Sequence, residues 1–258
     1  MIHLKTEEEL LFMRDAGKVV SGVLDALRDV VRPGVSTAEL ERVAEKHIAA
    51  SGGKAAFKGY RPSHAERPFP GAICASINRE VVHGIPSDGR ILEEGDIVSV
   101  DVGVFLKGYY GDAACTYPVG NIGPNRRKLL EVTEKSLEMA IFTSMKGNTI
   151  GDIGYTVESH VLANGFGVVR DYTGHGVGKK LHEAPQVPNF GKRGRGVTLQ
   201  RGMTLALEPM VMAGEEEVIL GLDGWVVVTA DGSDAAHFER TIVITDDGPE
   251  ILTPWVSR

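Results

Sequence analysis

The chain has 258 residues, 42% hydrophobic and 24% charged, the balance of a soluble globular protein. Its formal charge of -7, with the densest acidic run at Glu215-Glu216-Glu217, excludes the basic surface that nucleic-acid binding requires. No stretch approaches the roughly 18 apolar residues of a membrane span. The first residues lack the basic-then-apolar pattern of a signal peptide, so Cys74 and Cys115 are expected as reduced thiols in a cytoplasmic protein.

Residues 7–30 place apolar and charged positions at helical spacing, and Thr6 with Glu7, Glu8 and Glu9 behind it reads as a capping box. After a break at Val31–Thr37, Ser36 or Thr37 caps a second helix to about Ala50, which Ser51-Gly52-Gly53 stops. Pro62, Pro68 and Pro70 make 54–70 an irregular loop. Strands are expected at Ile73–Val82, Asp96–Phe105 and Tyr109–Val119, the last two joined through Lys107-Gly108. Helices follow at Asn125–Met145 and 150–164, then a strand at 166–172 and a basic, Gly-rich turn at Gly191–Gly196. Met203–Val211, Val218–Thr229 and Phe238–Thr245 complete the strands. Helices precede strands in both halves, so the class is α+β.

The two halves resemble each other. Laying Val31–Ile48 over Ser144–Val161 brings Gly34 onto Gly147, Ser36 onto Thr149, Glu45 onto Glu158 and His47 onto His160. Further on, Leu92–Asp101 overlays Leu199–Glu208, so that a carboxylate ends both strands at one register. Both matches in the same order point to an internal duplication, with halves of about 1–122 and 123–258 in one domain. Asp101 and Glu208 would then face each other across a pseudo-two-fold axis.

Asp101 sits in an otherwise apolar run, where an uncompensated carboxylate is unfavourable. If a two-residue turn closes the hairpin, paired residue numbers sum to an odd value, and Asp101 and Asp112 share a face. A three-residue loop would put them on opposite faces. Glu208 and Glu239 repeat the pattern in the second half. Four such carboxylates cannot ionise together without a strong positive charge among them, and two divalent cations nearly balance it. His175, flanked by Gly174 and Gly176, adds one imidazole. Hard oxygen ligands with one imidazole suit Mn, Fe(II), Co or Zn. His83, in Val-His-Gly-Ile-Pro, and His182, seven residues beyond His175, lie beside Gly, Pro or loop positions where catalytic groups are commonly held. His47 and His160 read as structural, and His3, His64 and His237 receive no role.

Taken together, Val81-Val82-His83-Gly84-Ile85-Pro86, Val100-Asp101-Val102-Gly103 with Asp112, Gly174–Gly178 with His182, Leu207-Glu208-Pro209, Asp223-Gly224-Trp225 and Phe238-Glu239 resemble type I methionine aminopeptidase, from about Thr6 to Leu252. The resemblance implies the duplicated pita-bread fold, an antiparallel sheet covered by helices. It implies metal ligands Asp101, Asp112, His175, Glu208 and Glu239 for two divalent ions, with His83 and His182 touching substrate and Glu208 also relaying a proton. It places Phe57, Tyr60, Phe69, Cys74, Leu181 and Trp225 around the first side chain, with Phe57 and Leu181 standing where Cys and Phe are usual. It further implies removal of N-terminal methionine before a small second residue, by a hydroxide bridging the two metals. The partners would be nascent polypeptide N-termini near the ribosome, with no nucleic acid and no membrane, and the protein a monomer. Arg240 stands where relatives often carry His, beside the metal ligands, and Arg61–Arg67 is longer than usual. Activity is expected to fall below about pH 6 as His175 protonates. The competing readings are a proline-directed peptidase on the same fold and a binding protein that has lost catalysis.

Overall fold

The computed structural model describes residues 2–62 and 65–256; Ser63 and His64 lie outside the described residues. Among the described residues four helices, α1 (Glu7–Arg28), α2 (Thr37–Ala50), α3 (Pro124–Thr143) and α4 (Ile150–Ala163), pack on antiparallel sheets. The Thr6 capping box forms as expected, and α1 buries Leu10, Met13, Gly17, Val20, Leu24 and Leu27, a stripe at helical spacing. That stripe lies on the long hairpin described next, and no side chain separates the two at their closest point. A Cβ on Gly111 would stand 2.9 Å from the Gly17 nitrogen.

The first half contributes β1 (Lys54–Ala55), β2 (Cys74–Ile77), β3 (Glu80–Val82), β4 (Ile97–Leu106) and β5 (Tyr109–Pro118). The run expected as one strand at Ile73–Val82 is therefore two short strands of different sheets, separated by a turn at Asn78, φ +54°. Strand β4 pairs with β5 along one edge and with β1 and β2 along the other.

The second half contributes β6 (Gly167–Val168), β7 (Gly174–Gly176), β8 (Glu183–Val187), β9 (Thr204–Leu207), β10 (Met210–Met212), β11 (Val218–Leu220), β12 (Val227–Thr229), β13 (Ala235–His237), β14 (Arg240–Ile244) and β15 (Pro249–Ile251). One sheet runs β15-β14-β9-β7-β8 and another β13-β10-β6, while β11-β12-β3 joins the halves. The strand expected at Met203–Val211 breaks at Glu208-Pro209, because proline has no N–H for the ladder. There the chain leaves the five-stranded sheet and enters the three-stranded one.

The overlaid segments make the same contacts. Ser36 caps α2 and bridges Ile91, and Thr149 caps α4 and bridges Thr198. Gly34 N–H donates to the Leu92 carbonyl at 2.8 Å, and Gly147 N–H to the Leu199 carbonyl at 3.0 Å. One large buried cluster takes residues from both, from Leu24 and Val100 to Val157 and Leu205. No described helix is long and apolar enough to cross a membrane.

Candidate metal centre

The hairpin geometry follows from two residues. Lys107 (φ +50°) and Gly108 (φ +89°) form a two-residue turn with both φ values positive, between Leu106 and its partner Tyr109. The odd-sum register results: Asp101 pairs with Ala114 and Gly103 with Asp112, so the two carboxylates are diagonal neighbours on one face. Glu239 reaches this face from the second half, its N–H donating to the Ala114 carbonyl at 2.9 Å.

Glu208 and Glu239 share a position of their own. Glu208 lies between β9 and β10, Glu239 between β13 and β14, and these strands pair β9 with β14 and β10 with β13. Both carboxylates thus stand where the chain crosses between the same two sheets. His175 lies within β7, opposite Ala206 of β9. Its flanking glycines serve close packing in a strand, not a turn. A Cβ on Gly174 would come 2.5 Å from the Ala206 carbonyl oxygen, and one on Gly176 2.4 Å from that of Ala184.

One ligand atom each from Asp112, His175 and Glu239 lie within 4.8 Å of one another. His175 Nε2 stands 3.7 Å from Asp112 Oδ2 and 3.6 Å from Glu208 Oε1. Its Nδ1 is 2.9 Å from the Gly176 carbonyl, which can only accept, so Nδ1 carries the proton and Nε2 turns a lone pair toward the carboxylates. Burial holds the His175 pKa down to about 3, with the neighbouring His182 adding to the effect. The imidazole is therefore neutral well below pH 6, and its protonation does not set an acid limb there.

The carboxyls titrate in the opposite sense. Burial pushes Asp101 up to about 7. Burial, then repulsion from its neighbours, raises Asp112, Glu208 and Glu239 well above the ordinary range. Asp101 Oδ1, Asp112 Oδ1 and Glu239 Oε1 are buried without a hydrogen-bond partner. Buried acceptors with no donors, clustered beside an imidazole lone pair, fit a divalent cation of the Mn, Fe(II), Co or Zn kind. The competition for such ions comes from protons on the carboxyls.

These groups open into a cavity of about 1100 Å³ that all the residues proposed from the sequence line. Phe57, Phe69, Cys74 and Leu181 form one buried apolar cluster, with Tyr60 and Trp225 packed against it. Trp225 meets Phe69 edge-on at 5.2 Å. His182 is held between two partners, its ring 4.3 Å from that of His175 and its Nδ1 2.7 Å from the Tyr60 hydroxyl. The turn before it is closed by Glu183, whose carboxylate accepts from Lys180 N–H at 3.1 Å and from buried Lys5 Nζ at 2.6 Å. His83 ends β3 at φ +61°, an uncommon backbone for a residue with a side chain and one that clusters at functional sites. Its ring lies edge-on to Tyr172 at 5.7 Å and to Trp225 at 6.3 Å.

Residues 12–246 match the family model described as metallopeptidase family M24. The chain belongs to this family. It is 49% identical to the methionine aminopeptidase of Clostridium acetobutylicum, over 98% of this chain and 99% of that one. Its fold superposes on the crystal structure of methionine aminopeptidase from Thermotoga maritima with a TM-score of 0.95, at 47% identity and with 98% and 99% of the two chains covered. An Xaa-Pro dipeptidase from Bacillus anthracis shares the fold at a TM-score of 0.76 and 21% identity, this chain covering 99% of itself and 63% of that one. The fold is thus the pita-bread architecture of the M24 peptidases, and the chain is a metalloexopeptidase of the methionine aminopeptidase group.

The structure adds one residue to the M24 site and removes another. His237, given no role from sequence, is buried with Nε2 3.6 Å from Glu208 Oε2, and burial holds its pKa down to about 3. The available signal was its place two residues before Glu239. Arg240 was expected beside the ligands. Instead its guanidinium donates to the carbonyls of Thr253 (3.0 Å) and Trp255 (2.9 Å) and lies 4.0 Å over the Trp255 ring. It fastens the C-terminal segment behind the sheet.

Proposed function

We propose that this chain removes methionine from the N-termini of nascent polypeptides, preferring a small second residue. The observation that carries the reading is the cluster of buried, partner-poor carboxyls with one outward imidazole lone pair, at the floor of an apolar cavity. In this reading Asp101, Asp112, His175, Glu208 and Glu239 hold two ions within a single domain of two similar halves. When bound, the ions would supply Lewis acidity for the substrate's α-amino group and scissile carbonyl and would lower the pKa of water.

The remaining roles belong to the chain's own residues. Glu208, on the open side of the cluster, takes the proton from the attacking water and hands it to the leaving amine. In the tautomer in which Nδ1 accepts from the Tyr60 hydroxyl, 2.7 Å away, His182 presents Nε2–H to the cavity, where it stabilises negative charge developing on the carbonyl oxygen. His83 holds the substrate backbone from the opposite sheet. The socket of Phe57, Tyr60, Phe69, Cys74, Leu181 and Trp225 accepts the flexible thioether side chain. The protein acts as a monomer in the cytoplasm on chains leaving the ribosome.

Steady-state hydrolysis of Met-Ala-Ser, Met-Leu-Ser and an Xaa-Pro peptide by the metal-loaded protein tests the proposal. It requires kcat/KM to be highest for Met-Ala-Ser. Preference for the Xaa-Pro peptide would assign the chain to the proline-directed branch, and no turnover of any would leave a binding protein.

A further inference from the structure

We infer that the β11–β12 hairpin is an apolar lip that contacts substrate residues beyond the second, so that Leu220 and Leu222 favour polypeptides with apolar side chains there. The inference rests on the aminopeptidase reading and extends it along the substrate. Its starting point is an exposure that folding does not explain. Leu222 is 108% exposed and Leu220 58%, yet both line the mouth of the same cavity whose floor holds the carboxyls. Exposed apolar surface that is contiguous, rather than scattered, marks interaction sites, and this pair is continuous with the binding cavity.

The backbone that carries those side chains is held in a fixed hairpin. Leu220 pairs with Val227, Gly221 N–H donates to the Val226 carbonyl at 2.7 Å, and Asp223 Oδ1 accepts from the N–H groups of Trp225 and Val226, each at 2.9 Å. Gly224 at φ +75° completes the tip. The hairpin's second strand is fixed to the catalytic region, because Val227 of β12 pairs with Val82 of β3, next to His83. Trp225 ties the tip to the side-chain socket through Phe69. One rigid unit therefore carries both a wall of the socket and the exposed leucines.

The occupant follows from size and direction. At about 1100 Å³ the cavity exceeds the roughly 300–1,000 Å³ of ordinary small-ligand sites. It has room for several residues of an extended chain, each advancing about 3.3 Å. Because the amino terminus is buried at the floor, the chain after the scissile bond leaves through the mouth, one side of which is formed by Leu220 and Leu222. Contact with apolar substrate side chains there buries leucine surface on both partners.

The test compares Met-Ala-Leu-Leu-Ala, Met-Ala-Ser-Ser-Ala and the dipeptide Met-Ala, using the metal-loaded protein and its Leu220→Ser, Leu222→Ser and double variants. The wild type should prefer the leucine peptide by about fivefold or more in kcat/KM, expressed in KM, as expected for burying part of a leucine side chain. The double variant should lose this preference while Met-Ala turnover stays within twofold. Equal kcat/KM for both pentapeptides in the wild type, or a preference that survives the double variant, would overturn the lip alone. Failure to hydrolyse any peptide would overturn the aminopeptidase reading and the lip with it.

Discussion

Thr241 and Asp112 exchange two hydrogen bonds between the second half and the first hairpin. The Asp112 N–H donates to Thr241 Oγ1 at 3.3 Å, and the Thr241 hydroxyl donates to the Asp112 carbonyl at 2.7 Å. Both residues are buried, and this hydroxyl bonds both the N–H and the carbonyl of Asp112 in β5. One threonine thus registers a ligand strand of one half against that of the other. Thr241→Val keeps the shape and removes both bonds. It should lower stability by about 1–3 kcal/mol, roughly 2–12 °C in Tm at this chain length, and weaken metal binding, whereas Thr241→Ser should retain most of both. Differential scanning calorimetry and metal titration check this, and an unchanged Thr241→Val protein would disprove the link.

The raised carboxyl pKa values set the sign of a pH effect. In the chelated protein the native state binds protons that the unfolded chain has released. This part of the stability is lost as pH rises from the unfolded value near 4, through about 7 for Asp101. His175 and His237, held near 3, act oppositely, adding stability as pH rises to about 6.5. Above that the imidazole contribution fades over about one pH unit and the carboxyl effect sets the trend. The Tm of chelated protein should therefore fall from pH 6.5 to 8, while the Tm gain on adding Mn(II) should grow. Mn(II) binding should also release protons, seen as a buffer-dependent enthalpy. A Tm gain that shrinks over this range would contradict the assignment.

The Tyr60–His182 bond gives a prediction separable from metal binding. Tyr60→Phe removes the hydroxyl and should reduce kcat/KM by about 2- to 10-fold, the worth of one hydrogen bond. His182→Ala should reduce kcat by about 10²–10³, as for removal of an oxyanion donor. Neither should change Mn(II) affinity in calorimetry, and a matching loss of affinity would place His182 among the ligands instead.

Arg240 tests the opposite case, a residue next to a ligand that acts elsewhere. Arg240→Met should lower Tm by several degrees through loss of two bonds to the C-terminal carbonyls and the stack on Trp255. Its Mn(II) affinity should stay within about threefold of wild type, a difference under 1 kcal/mol. Trp255 Nε1–H remains to hold the Glu239 carbonyl, at 3.0 Å.

What was legible in the sequence was whatever local chemistry decides. The Lys107-Gly108 turn fixes a parity, and parity alone places Asp101 and Asp112 on one face. The repeat of Gly34-Val35-Ser36 with Gly147-Asn148-Thr149 is visible because the same caps and bridges demand similar residues. Contacts distant in sequence were not legible. Strands β7 and β8 were missed because each is short and is held by its neighbour in the sheet, β7 by β9 and β8 by β7, rather than by its own pattern. His237 carries no motif of its own and gains its place only when β13 pairs with β10, next to Glu208. The side chain of Arg240 could not be aimed from sequence, because its acceptors are carbonyls 13 and 15 residues away.

In the proposed function five side chains from both halves form one centre for two divalent ions. Calorimetric titration of chelated protein with Mn(II), with Met-Ala-Ser turnover followed in parallel, tests it most directly. Binding should saturate at two ions per chain with turnover rising from nothing, and Asp112→Asn should abolish both. Saturation without turnover, turnover in the chelated protein, or unchanged binding in Asp112→Asn would contradict it.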